Sequence, residues 1–232
     1  MRPDRLVLVC GTATEVGKTW VCTSLLEELR RHGVSVAARK PAQSFDIDSE
    51  GAPLGGPTDA ERLGAASGEH PGLVCHSFRS YHLAMAPPMA AEALGLPAFT
   101  VADLVTEMSW PAERVQVGVV ELAGGVRSPQ ASDGDSVELV ERLQPDVVVL
   151  VADAGLGTLN SVRLCMDALA SADVSPPVRP VVVLDRFDDH HDIHRRNRDW
   201  LSTRHGYRVV TLPGQEVLLA GLVRAPEPYS AG

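Results

Sequence analysis

GTATEVGKTW, Gly11–Trp20, follows directly on the apolar run LVLVC, Leu6–Cys10. A glycine-containing loop between a buried strand and a helix can cradle phosphates, because its N–H groups and the positive helix terminus converge on one anion. The usual spacing is Gly, four residues, then Gly-Lys-Ser/Thr, whereas here five residues separate Gly11 from Gly17 and Thr12 takes the first-glycine position. The strict pattern fails by one residue, but the strand-loop-helix context holds. On this reading Gly11 and Gly17 allow the turn and the close approach. The segment Thr12, Ala13, Thr14, Glu15 and Val16 wraps the phosphates, Lys18 neutralises the β- and γ-phosphates, and Thr19 offers its hydroxyl to Mg²⁺.

Outward from this loop, β-branched or leucine-rich runs recur at Leu6–Cys10, Val34–Ala38, Val115–Glu121, Asp146–Val151, Pro180–Leu184 and Tyr207–Leu212. Most are continuously apolar, as strands buried on both faces of a parallel sheet must be. Helical patterns fall between them at Lys18–Arg31, Ala60–Ala66, Val101–Met108, Val137–Leu143, Ser161–Ser171 and Ile193–Thr203. In the fifth, Val162, Cys165, Met166 and Leu169 mark one buried face. The alternation predicts a single α/β domain over residues 1–232, a parallel sheet of the P-loop NTPase kind flanked by helices, with a tail from about 224. Ligands of such sheets bind at the carboxyl ends of strands.

The chain has 232 residues, enough for a full core, and 44 % hydrophobic against 22 % charged residues suits an ordinary globular protein. A net charge of −9 argues against nonspecific nucleic-acid binding, so an anionic ligand must be held locally. Cys10, Cys22, Cys75 and Cys165 form no CxxC pair, which suits a reducing cytoplasm. No apolar run approaches the roughly 20 residues of a membrane span, and MRPDRLVLVC is too short in apolar residues for a secretory signal. The expectation is a cytoplasmic protein without a membrane partner.

Further charges gather at the expected strand ends. Arg39-Lys40-Pro41 brings a second lysine to the crevice, followed by Gln43 and Ser44. Asp59 opens a helix, where a helix-capping role is the plain alternative. Glu121 ends VGVVE and precedes Ala123-Gly124-Gly125; a carboxylate there is costly unless it meets a cation. Thr19, Asp59 and Glu121 together would give a hard cation three oxygen ligands.

GTATEVGKT, KPAQS, TDAERLG, APPMAAE, VELAGG and DAGLGTLN, in this order over most of the chain, resemble the dethiobiotin synthetase family, whose phosphate loop shares the departure in the first glycine position. The resemblance implies an ATP- and Mg²⁺-dependent ligase that closes the cyclic urea of dethiobiotin from 7,8-diaminopelargonate and CO2 through a phosphorylated carbamate. It implies that Lys18 and Lys40 neutralise phosphates and carbamate, that Thr19, Asp59 and Glu121 hold Mg²⁺, and that Thr14, Glu15 and Ser44 line the phosphate and substrate site. Gly155, Leu156, Gly157, Thr158 and Asn160 match the loop that receives the substrate carboxylate. In relatives that loop comes from the partner subunit, which implies a homodimer with shared sites.

Four positions depart from the family, among them Ala13, which takes a position often polar. ELAGG puts Leu122 where the family has glycine, and strain of about 1–2 kcal/mol is expected if that backbone needs a positive φ. Phe45 replaces a small residue after the Lys40 motif. Asp185 in VVVLDRF stands where members carry a base-reading asparagine; an ionised aspartate only accepts hydrogen bonds, so weakened discrimination for adenine is expected. Two other functions stay open: an ATP-dependent enzyme on another amine or carboxylate, and a nucleotide-driven partitioning or scaffold switch. Switches of the latter kind usually carry an extra lysine early in the loop, which CGTATEVGK lacks. His190 and His194 have a zinc-compatible spacing, but DDHHDIH reads better as an acidic first helical turn, with Trp200 packing inward. Met85 and Met89, around Pro87-Pro88, are candidates for the substrate pocket or the core.

Overall fold

The computed structural model describes residues 1–175 and 179–224. The expected tail beyond about 224 and residues 176–178 lie outside the described residues. Strands β1 (Arg5–Gly11), β2 (Val36–Arg39), β3 (Gln43–Ser44), β4 (Ser80–Tyr81), β5 (Val117–Gly125), β6 (Val147–Asp153), β7 (Val181–Asp185) and β8 (Arg208–Thr211) alternate with helices. The helices are α1 (Lys18–Arg31), α2 (Asp59–Ser67), α3 (Pro71–Val74), α4 (Pro87–Ala93), α5 (Val101–Glu107), α6 (Ser136–Leu143), α7 (Thr158–Leu169), α8 (Asp192–Arg204) and α9 (Glu216–Arg224). Six strands form one sheet in the order β2-β5-β1-β6-β7-β8, every pairing parallel. All six expected strands are in it, and α1 matches its expected bounds.

Both faces of the sheet are covered, which explains why the strands read as continuous apolar runs. Leu6, Leu8 and Cys10 face a core closed by α4 to α8, while Val7 and Val9 face a second core closed by α1, α2 and α9. Each fully buried leucine or valine contributes roughly 1.5–3 kcal/mol. Burial pushes the thiols of Cys10 and Cys75 up to about 12, so these side chains act as small apolar packing groups.

The differences from expectation have local causes. β3 and β4 pair over only two residues each, too few to show a period. β5 does not end at Glu121 but runs on to Gly125. Its register against β1 passes from Val9↔Glu121 to Gly11↔Gly125, so four residues of β5 span two of β1 in a bulge. Trp200 is 50 % exposed beneath Arg204 rather than packed inward; its neighbour Leu201 takes the buried position. His194 accepts from the Asp188 amide at 3.1 Å and stacks on His191, serving the local turn. Among the described residues no helix is long and apolar enough to cross a membrane.

Candidate active site at the carboxyl edge of the sheet

β1 sits at the centre of the sheet, between β5 and β6, so the loop after it opens into the crevice where ligands of parallel sheets bind. Gly17, at φ 93°, is the cap residue before α1, and a Cβ there would lie 1.9 Å from Asp185 Oδ2. Gly11 is required by space rather than by dihedral angle, since a Cβ would meet Val16, Ala13 and Lys18 at 2.9–3.0 Å. Among the described residues the amides of Ala13, Thr14, Glu15 and Gly17 have no protein acceptor. A run of unpaired donors at a helix N-terminus is what binds an anion.

Lys18 Nζ folds back to the Ala13 carbonyl at 3.0 Å. Burial lowers its pKa, helped by Lys40 and opposed by Glu121 and Asp59. Beneath it, Lys40 Nζ lies 2.6 Å from Glu121 Oε1 and 2.8 Å from Asp59 Oδ2. Thr19 Oγ1 lies 2.8 Å from Asp59 Oδ1 and 3.0 Å from Glu121 Oε1, and its single proton serves one of them at a time. Lys40 is 3 % and Glu121 1 % exposed. Burial alone would lower the Lys40 pKa, but Asp59 and Glu121 outweigh it and hold the ammonium charged. Lys40 in turn keeps Asp59 below the usual carboxylate range. Burial raises Glu121, because it shares one lysine with Asp59 and Lys40 only partly offsets the desolvation. Among the described residues Glu121 Oε2 is buried without a partner. Three hard oxygen donors around an ammonium, one with an orphaned oxygen, are a donor set that fits Mg²⁺.

These groups open on a cavity of about 1070 Å³. Thr14, Glu15, Gly17, Lys18, Thr19, Lys40, Ser44, Asp59 and Glu121 line it, joined by Phe45 and Met85, whereas Met89 is exposed elsewhere. Ser44 Oγ donates to the Met85 carbonyl at 2.5 Å, and Phe45 packs on His82 at 5.2 Å. Asp59 does not cap α2: Thr58 does, in a capping box with Glu61, which leaves Asp59 free for Lys40 and Thr19. Asp185 backs onto Gly17 instead of lining the cavity, and burial raises its pKa against the pull of Arg186.

Gly155, Leu156, Gly157, Thr158 and Asn160 are not brought to this cavity. They form the loop after β6 and the start of α7, with Leu156 89 % exposed and Gly157 at φ 90°. Asn197 pins the loop from behind, donating to the carbonyls of Ala154 and Gly155 at 2.9 and 2.8 Å. Among the described residues the buried Thr158 hydroxyl has no partner. Sequence reading missed Trp20, Thr23, Glu27 and Arg186, which also line the cavity. The first three share an i, i+3, i+7 face of α1 that was legible as spacing. Arg186 directly follows β7, at a carboxyl end where only Asp185 was considered.

Leu122 carries none of the expected strain. The positive φ in this turn belongs to Gly124, at 62°, and Leu122 is fully buried in the core with Leu8 and Leu150. Leu122→Gly should therefore destabilise the protein by about 3–5 kcal/mol, from lost burial, a cavity and added chain freedom. A denaturant midpoint unchanged from wild type would contradict this placement.

A family model described as an AAA domain matches residues 5–218. An ATP-dependent dethiobiotin synthetase of Anaeromyxobacter dehalogenans is 38 % identical over 71 % of this chain and 70 % of its own length. The chain belongs to the dethiobiotin synthetase family. The enzyme of that name from Haloferax mediterranei is 34 % identical over 88 % of this chain and 82 % of its own, and that from Rhodococcus jostii 34 % over 73 % and 70 %. The relatives' names make this a family of ATP-dependent ligases.

Proposed function

We propose that this chain closes the ureido ring of dethiobiotin from 7,8-diaminopelargonate, CO2 and ATP, a step of biotin biosynthesis. The observation that carries the reading is the Lys40–Glu121–Asp59–Thr19 cluster, its Lys40–Glu121 pair buried, in one cavity with the loop of unpaired amides. One amine of the substrate adds to CO2 and forms a carbamate. A carbamate oxygen then takes the γ-phosphoryl group of ATP, and the second amine attacks the carbamoyl carbon and expels phosphate. Lys18 leaves the Ala13 carbonyl to neutralise the transferred group, and Lys40 balances charge on the carbamate side. Such a transfer needs positioning and charge neutralisation more than acid-base chemistry. Thr19, Asp59 and Glu121 would hold Mg²⁺, which when bound would supply positive charge against the phosphates. Glu15 and Ser44 would face the substrate amines.

The exposed Gly155–Asn160 loop lies off its own cavity, which supports its donation to a second copy in a homodimer, where the N-terminus of α7 would receive the substrate carboxylate. Asp185 motivates relaxed choice of base, and four free cysteines support a reducing cytoplasm.

The test is fixation of labelled bicarbonate into acid-stable product with 7,8-diaminopelargonate, Mg²⁺ and ATP, GTP or CTP in parallel. Label should be fixed with phosphate release, and Lys18→Ala should lower the rate by about a hundredfold or more. Nucleotide binding without fixation would keep the phosphate site and sink the substrate. Strict use of ATP would remove the base-choice proposal.

A further inference from the structure

Two non-glycine residues beside the cavity adopt the left-handed conformation, Glu15 at φ 61° and Arg186 at φ 54°. That conformation is costly for a residue with a Cβ and persists where its surroundings over-determine it, often at working sites. The two are joined, since Arg186 Nη2 donates to the carbonyl of Glu15. The same guanidinium has Nη1 3.6 Å from Asp153 Oδ2 and Nε 3.5 Å from Asp185 Oδ2. Arg186 thus bridges the ends of β6 and β7 to the phosphate loop while lining the cavity.

A bare carbonyl at the rim of an amide bowl sets a negative partial charge against an incoming phosphate. A guanidinium on that carbonyl masks the charge and fixes the peptide. It also adds a cation at the rim. We propose that Arg186 is a positioning residue for the nucleotide: it clamps Glu15 so that the loop amides are presented to the phosphates. The proposal rests on the reading of Gly11–Thr19 as a nucleoside triphosphate site. The Arg186 side chain is 59 % exposed, so its own burial does not fix where its guanidinium sits.

The test measures ATP dissociation constants and steady-state kinetics of the full chain for wild type, Arg186→Ala, Arg186→Lys and Arg186→Gly, with Lys18→Ala as the control for the site itself. Arg186→Ala should raise the dissociation constant about tenfold or more, with the loss in KM for ATP rather than in kcat, and with the nucleotide-free melting temperature nearly unchanged. Arg186→Lys should recover part of the affinity. Arg186→Gly, which accepts the positive φ but lacks the guanidinium, should bind as weakly as Arg186→Ala. Wild-type affinity in Arg186→Ala while Lys18→Ala binds poorly would overturn the clamp. So would full recovery in Arg186→Gly, since the defect would then lie in the backbone. Absence of ATP binding by the wild-type chain would instead overturn the nucleotide site, and the clamp with it.

Discussion

Lys40→Ala is expected to cost about 3–5 kcal/mol of stability and about a hundredfold or more in turnover. The stability loss follows from burial. Glu121 is 1 % exposed and Lys40 3 %, so truncating the lysine strands a carboxylate that water cannot reach. Asp59 loses the same partner, and with it the main cause of its lowered pKa. A group with a depressed folded-state pKa stabilises above its unfolded value, near 3.9 for aspartate, and that contribution disappears as the pH falls through the folded value. Wild type should therefore lose this part of its stability in acid, while Lys40→Ala should lack most of it already at neutral pH. Adding Glu121→Gln to Lys40→Ala should return much of the stability without the activity. Urea unfolding at pH 7 and at a pH well below about 3.9 reads both effects. An unchanged midpoint in Lys40→Ala would mean that the pair is solvated.

Gly17→Ala should abolish nucleotide binding and destabilise the protein by about 2–4 kcal/mol, since it combines a left-handed alanine with a steric clash. The two causes separate in a double mutant. A Cβ at residue 17 would sit 1.9 Å from Asp185 Oδ2 and 2.6 Å from its Cγ, so Asp185→Ala removes those atoms while the φ of 93° remains. Gly17→Ala with Asp185→Ala should regain the clash component only, leaving the double mutant weaker than Asp185→Ala by about 1–2 kcal/mol. Strict additivity of the two single substitutions would show that Asp185 does not press on the loop. The same contact makes Asp185 a wall behind Gly17, a role invisible when VVVLD is read only as the end of a strand.

Much of the fold was legible because a strand buried on two faces must be apolar throughout, as in Leu6–Cys10 and Val181–Leu184. The alternation of such runs with helical periods leaves little choice of architecture. What escaped notice was short or positional. Two-residue ladders carry no period, and the bulge at Leu122–Gly124 depends on how β5 registers against β1. Leu122 looked like a leucine in a glycine's place, yet the bulge assigns the positive φ to Gly124 and turns Leu122 into the core.

The candidate site divides along the same line. By itself the sequence determined the residue types and their strand-end positions: a phosphate loop at Gly11–Thr19, a lysine after β2, and carboxylates at Asp59 and Glu121. Those follow from local chemistry, because amide bowls, cations and hard oxygen ligands are recognisable one segment at a time. Only the tertiary structure decided which of them meet. Glu121 and Lys40, 81 positions apart, pair because β5 lies beside β2. Arg186 reaches Glu15 because β7 ends near the loop after β1. The Gly155–Asn160 loop, equally legible as a motif, lies off the cavity of its own chain, whereas Arg186, one strand farther along the same sheet, lines it. Proximity across a sheet is set by strand order and register, and these arise from packing the whole chain at once.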